Sequence, residues 1–103
     1  MTQDDARARL EECRVRIDDI DRRIVELVNE RTRVVEEIGR VKREAQLPIY
    51  EPKREEQVFA NIMASNHGPI PPDCVRRIFE RIIDEMRTIQ RRKIMPHPED
   101  PQC

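Results

Sequence analysis

Apolar residues recur on alternating steps of three and four through the first half of the chain. This stripe, which we call the seam, has eleven positions, and ten of them are apolar or small. A heptad rhythm sustained for about five heptads predicts one long helix. The seam positions are Leu10, Cys13, Ile17, Ile20, Ile24, Leu27, Arg31, Val34, Ile38, Val41 and Ala45.

The predicted helix is long for so short a chain. A helix from about Asp5 to Glu44 would measure roughly 60 Å, whereas a compact domain of this size has a radius of gyration of about 13 Å. The chain has only 103 residues, and the part outside the helix is too small to cover the seam. We therefore expect the seam to pair with a second copy of itself.

Prolines divide the rest of the chain into two further helices. Asp4 or Asp5 is expected to cap the long helix, which should end near Gln46 because Pro48 disfavours helical angles at the residue before it. Pro52 is typical of a first helical position, and the segment 66–69 (Asn-His-Gly-Pro) should end that second helix. The apolar face predicted for it consists of Val58, Phe59, Ile62 and Met63.

The third helix should begin at the segment 71–73 (Pro-Pro-Asp) and run to about Lys93. The predicted fold class is therefore all-α, with a long, a short and a medium helix in one domain over residues 1–95. Residues 96–103 contain three prolines and are expected to form a disordered tail. The apolar stripe of the third helix comprises Val75, Ile78, Phe79, Ile82, Ile83, Met86 and Ile89.

Charge and cysteine content narrow the class of partner. The 20 basic and 21 acidic side chains nearly balance, which argues against nucleic acid as the main partner. No apolar run approaches the roughly 20 residues needed to span a membrane, and the acidic start lacks the core of a signal peptide. Cys13, Cys74 and Cys103 are widely spaced without a CxxC pair, so we expect reduced thiols, no metal site and a cytoplasmic protein.

Arg31 is the charged exception on the seam. Burying a guanidinium without an anionic partner is unfavourable, so Arg31 either pairs with a glutamate, specifies the register of the dimer, or binds an anionic ligand. Lys42 lies about three turns further along nearly the same face, about 16 Å away, which favours a ligand held between the two.

Arg14 flanks the same seam about 25 Å before Arg31, too far to share a small ligand with Lys42 in one chain. In an antiparallel pairing centred near Val25, however, residue 14 of one copy falls opposite residue 36 of the other. The partner's Arg14 would then lie between Arg31 and Lys42, and a two-fold dimer would contain two equal pockets. Taken alone, Arg14 is more typical of a solvated flank residue, and it is the convergence of three basic residues under one symmetry operation that favours the pocket.

The second and third helices contribute further candidate ligand-binding residues. Glu51 and Glu55 are four residues apart and share a face with Arg54 beside them, although the helix dipole also explains acids at that position. Gln90 continues the apolar stripe of the third helix, so its amide should either cap another helix or face a ligand.

Groups for nucleophilic catalysis and cofactor binding are missing from this pattern. The two histidines fall in a turn and in the tail, and there is neither a glycine-rich phosphate loop nor a metal-ligand cluster. Any catalysis should therefore depend on positioning and fixed charge, without a cofactor.

Together, these residues resemble the all-helical class of chorismate mutases. The likeness extends over about residues 7 to 92, and Phe79, Ile82, Ile83 and Gln90 continue it into the third helix. The segments that carry it are Arg14-x-x-Ile17-Asp18-x-Ile20-Asp21, Asn29-Glu30-Arg31, Ile38-Gly39-x-x-Lys42 and Pro48-Ile49-Tyr50-Glu51-Pro52-x-Arg54-Glu55.

The resemblance implies an intertwined homodimer that rearranges chorismate to prephenate, the step toward phenylalanine and tyrosine, without a cofactor. Arg31 and the partner's Arg14 would grip the two carboxylates of the substrate. Lys42 and Gln90 would donate to the ether oxygen, and the pocket would hold the folded conformer.

Within the same resemblance, Glu51 and Glu55 would accept the ring hydroxyl, with Arg54 adding positive charge nearby. Two positions depart from the family pattern. Met86 replaces a small hydroxylated residue that would contact a carboxylate, and Glu51 replaces a shorter Asp.

Three alternatives remain open at this level. An isochorismate pyruvate-lyase and a mutase of an amino analogue of chorismate would share the fold, whereas a non-catalytic helical dimerisation module would use the seam only to choose its partner.

Overall fold

The structure, a computed structural model, describes residues 1–94 and contains no strand within that range. Its helices are α1 (Gln3–Glu44), α2 (Pro52–Ser65) and α3 (Pro72–Ile94). The all-helical fold class and the order of a long, a short and a medium helix are confirmed. The predicted tail, residues 96–103, and Cys103 lie outside the described residues.

Thr2 caps the start of α1, so the prediction of an aspartate cap is wrong. The Thr2 hydroxyl accepts a hydrogen bond from the Asp5 backbone N–H at 3.1 Å, and the Asp5 carboxylate accepts one from the Thr2 N–H at 3.3 Å. This reciprocal pair is a capping box in which an aspartate serves as the third helical residue. Asp5 therefore supports the cap from inside the helix.

A Schellman motif ends α1. Gln46 adopts a left-handed conformation (φ 58°), and its N–H bonds the carbonyl of Arg43 at 3.2 Å. The next N–H, that of Leu47, bonds the carbonyl of Lys42 at 2.7 Å. The chain thus turns away from the helix axis before Pro48, as predicted, although the residue in the left-handed position is not the usual glycine.

Proline and asparagine mark the bounds of the shorter helices, as the sequence predicts. Pro52 opens α2 and Asn66 is its C-cap residue. The Asn66 side chain accepts a hydrogen bond from the Gly68 N–H and donates one to the carbonyl of Ile70, both at 3.0 Å. These contacts shape the loop that leads into α3.

The described chain divides into two units, Met1–Val34 and the unit that begins at Val35. The first consists almost entirely of α1, and its seam is open: Ile17 is 54% exposed and Leu27 is 63% exposed. In the second, α2 packs on α3, with Val75 and Met86 as its most buried apolar side chains. Among the described residues, no helix combines the length and the apolar character needed to cross a membrane.

Candidate functional site

Lys42 is a largely buried cation of the second unit. Its side chain is 13% exposed and its ammonium lies 2.7 Å from Oε1 of Glu51. The same ammonium donates to the carbonyl of Ile49 at 2.9 Å. Both acceptors belong to the connector between α1 and α2. An ammonium has three N–H donors, so one donor remains for a ligand after these two contacts.

The Glu51 side chain binds Lys42 and does not cap the helix that follows it. As the N-cap residue of α2 it makes no side-chain cap hydrogen bond. Its carboxylate is bound to Lys42 instead. Dipole complementarity, one explanation open at the sequence level, therefore does not account for its side-chain position.

Glu55 and Arg87 form a second ion pair, which joins α2 to α3. Nη2 of Arg87 donates to Oε1 of Glu55 at 2.6 Å, and the side chains are 28% and 25% exposed. The Arg87 guanidinium also lies over the Tyr50 ring, 5.3 Å from its centroid. Oε2 of Glu55 is left to accept a further hydrogen bond.

Gln90 is 9% exposed and reaches the backbone of α1. Its Nε2 donates to the carbonyl of Val35 at 3.2 Å, which uses one of two N–H donors. Gly39 faces Gln90 there: a Cβ placed at this position would lie 3.7 Å from Cγ of Gln90, at ordinary van der Waals distance. Lys42 lies three residues after Gly39, on the next turn of the same face. Gln90 therefore contacts α1 about one turn before Lys42.

Two other predicted site residues of this unit, Arg54 and Met86, lie at the surface and in the core, respectively. Arg54 is exposed, and its Nη1 is 3.5 Å from Oε1 of Gln57, one turn along α2. Met86 is 5% exposed and belongs to the core. The structure therefore brings Lys42 together with Glu51 but leaves Arg54 at the surface.

Arg14 and Arg31 belong to the first unit. The Arg14 side chain is 70% exposed and lies 4.0 Å from Glu11 of the same helix, whereas Arg31 is half-buried. The shared pocket, in which a second copy brings Arg14 beside Arg31, stays a prediction.

A surface cleft of about 550 Å³ lies between α2 and α3. Acidic and basic side chains alternate around two apolar ones, and both members of the Glu55–Arg87 pair contribute to its wall. Its lining residues are Glu55, Phe59, Arg77, Glu80, Arg81, Ile83, Asp84 and Arg87.

The ammonium of Lys42 and the amide of Gln90 can bind an anion and donate hydrogen bonds, but the site described above offers no base near a nucleophile. Among residues 1–94 no cluster of histidine, cysteine, aspartate and glutamate has the arrangement of a metal site. The two cysteines in this range, Cys13 and Cys74, are free thiols.

Sequence reasoning missed Arg87 and the role of Tyr50. Arg87 directly follows a buried methionine on α3, and a charged residue at the edge of an apolar stripe is a weak signal for an interhelical contact. Its partner Glu55 is 32 residues away, a separation at which helical periodicity carries no information.

Comparison with known proteins assigns the chain to a family. Residues 13–91 match the family described as chorismate mutase type II. Among solved structures, a chorismate mutase from Thermus thermophilus (form II) superposes with a TM-score of 0.79 and 39% identity, covering 82% of this chain and 96% of that one.

Two curated relatives add detail. The bifunctional chorismate mutase/prephenate dehydratase of Aquifex aeolicus is 34% identical over 87 residues, which cover 81% of this chain and 24% of the relative. The chain thus spans about a quarter of the length of that relative. The 4-amino-4-deoxychorismate mutase of Streptomyces pristinaespiralis is 36% identical over 78 residues, covering 74% of this chain and 60% of the relative.

Proposed function

The chain belongs to the chorismate mutase type II family, and on that premise we propose that it catalyses the rearrangement of chorismate to prephenate. The observation that carries the proposal is Lys42, whose side chain is 13% exposed and whose ammonium lies 2.7 Å from Glu51, with one donor left to bind a ligand. The reaction is an intramolecular Claisen rearrangement, in which the ether C–O bond breaks as a new C–C bond forms. It requires neither a proton transfer nor a covalent intermediate.

Negative charge grows on the ether oxygen as its bond to carbon breaks. The remaining N–H of Lys42 on α1 and the second N–H of Gln90, which reaches α1 from α3, would donate to that oxygen. Donors that are already oriented stabilise developing charge without reorganisation. The buried position of Gln90 and its contact with Val35 support this role, because they restrict the amide before the substrate arrives.

The substrate also carries two carboxylates, which need cations. We assign one to Arg31 and one to Arg14 of a second copy, in an antiparallel homodimer formed through the seam. The exposure of Ile17 and Leu27 supports such a pairing, since apolar stripes of this length are normally covered. Each pocket would then need both chains.

The ring hydroxyl of chorismate is assigned to Glu51 and Glu55. Oε2 of Glu55 remains available, and Glu51 lies beside Lys42. Glu55 follows Glu51 by four residues, one turn of helix, so the two acceptors share one face. Met86 is buried in the core and offers no hydroxyl, and Arg54 contributes charge from the surface. Holding the folded conformer between these groups would supply the positioning part of catalysis.

The test is an absorbance assay with purified protein. Loss of chorismate with formation of prephenate is the expected result, and an unchanged rate over the uncatalysed reaction would contradict the proposal. Release of pyruvate from isochorismate would indicate the lyase instead. Free thiols at Cys13 and Cys74 suit a reducing compartment, so we assign the activity to the cytoplasm.

A second candidate substrate is 4-amino-4-deoxychorismate, which the Streptomyces relative favours by its name. An amino group in place of the hydroxyl would meet the same two carboxylates, which are suited to a cation. The ratio of kcat/KM for the two substrates decides between them. We expect chorismate to give the higher value, and the opposite order would assign the amino analogue.

A further inference from the structure

We propose that Arg87 is a positioning residue, which orients Glu55 so that one carboxylate oxygen faces the ring hydroxyl of the substrate. The inference rests on the proposed function, because it deepens the role assigned to Glu55. The contact that carries it is the hydrogen bond of 2.6 Å between Nη2 of Arg87 and Oε1 of Glu55.

The pair differs from the other arginine–carboxylate contacts of α3. Arg81 and Glu85 are 75% and 51% exposed and lie one turn apart on the same helix. Arg87 and Glu55 are 28% and 25% exposed and join two helices. Exposed pairs along one helix contribute little because solvent screens them, whereas a partly buried pair between helices fixes the position of both side chains.

Arg87 is itself held from a second side. The Tyr50 ring lies beneath its guanidinium, with the centroid 5.3 Å from Cζ, within the range of a cation–π contact. Nε of Arg87 is buried without an acceptor among the described residues. A buried donor left unpaired lowers stability, so a role in stability alone does not explain why an arginine occupies this position.

The two carboxylate oxygens of Glu55 have different roles, and this difference is what makes the ion pair useful for binding substrate. Arg87 binds Oε1, which fixes the rotamer of the carboxylate and leaves Oε2 as an oriented acceptor. The ring hydroxyl neither forms nor breaks a bond in the rearrangement. A contact to it is therefore about equally strong in the ground state and the transition state, and its loss should raise KM more than it lowers kcat.

The test is a double-mutant cycle with chorismate. Arg87→Ala should raise KM on the order of tenfold, within the coupling found between contacting ion-paired residues, with kcat nearly unchanged. In a Glu55→Ala background the same substitution should change KM by less than about twofold. Arg92→Ala is the matched control, since it removes an exposed arginine of the same helix that does not line the cleft, and it should leave both constants unchanged.

Arg87→Lys keeps the charge but loses the planar fork, and it should give an intermediate KM. This variant carries the test if Arg87→Ala does not fold. An unchanged KM in either folded variant, a fall in kcat at constant KM, or an equal KM increase in the Glu55→Ala background would overturn the inference. A wild-type chain that does not convert chorismate would instead contradict the proposed function.

Discussion

At the scale of single residues, Lys42 is the most informative position. We expect Lys42→Ala to lower kcat on the order of a hundredfold or more, because removing a donor to developing negative charge typically has that effect. Steady-state kinetics with chorismate measure it. Lys53→Ala is the control, since Lys53 is an exposed cation nearby in α2 and should have no such effect. Retention of most of the activity by Lys42→Ala would exclude the proposed role.

At the scale of helices, a substitution in the turn that ends α1 can raise the stability of the protein. Gln46 has a φ of 58°, a conformation that a side chain disfavours and glycine adopts freely. Gln46→Gly should raise the free energy of unfolding by about 0.5–1 kcal/mol. Gly68→Ala should lower it by about 1 kcal/mol, because Gly68 has a φ of 81°. Urea denaturation measures both, and shifts of the same sign would refute the argument.

Local sequence signals predicted the helices, whereas contacts over long separations escaped them. Heptad spacing predicted the length of α1, Pro48 its end and Pro52 the start of α2, since these signals act within a turn or two. The left-handed Gln46 was not predicted because only a glycine would have signalled it. The pairing of Arg87 with Glu55 depends on how α2 packs on α3, which periodicity along one helix does not encode.

The candidate site was predictable to a similar extent. Arg31 stood out because it breaks an apolar seam, and Lys42 because it shares a face with Arg31. The two open interpretations of Gln90 are narrowed by its hydrogen bond to Val35, which still leaves one N–H. Glu51 was assigned to a substrate hydroxyl, but its bond to Lys42 required the connector to fold back, which the sequence did not reveal.

At the scale of the whole molecule, the shared pocket gives a complementation test. Arg14→Ala and Arg31→Ala homodimers should both be inactive, since each would lose one carboxylate grip in every pocket. Random subunit exchange between them should restore about a quarter of the wild-type sites, because half of the dimers become mixed and each regains one intact pocket. Activity after mixing measures this. No recovery, with exchange verified by tagged subunits, would show that the two arginines do not act across chains.

The two contacts of the Lys42 ammonium also affect the entropy of binding. A free lysine side chain carries about 2 kcal/mol of rotamer entropy, which a flexible donor would lose on meeting its ligand. The Ile49 carbonyl and Glu51 already restrict this lysine, so that loss occurs when the chain folds. The connector between α1 and α2 thereby affects turnover, and one residue inserted there would release the ammonium and slow the reaction even if every helix remained intact.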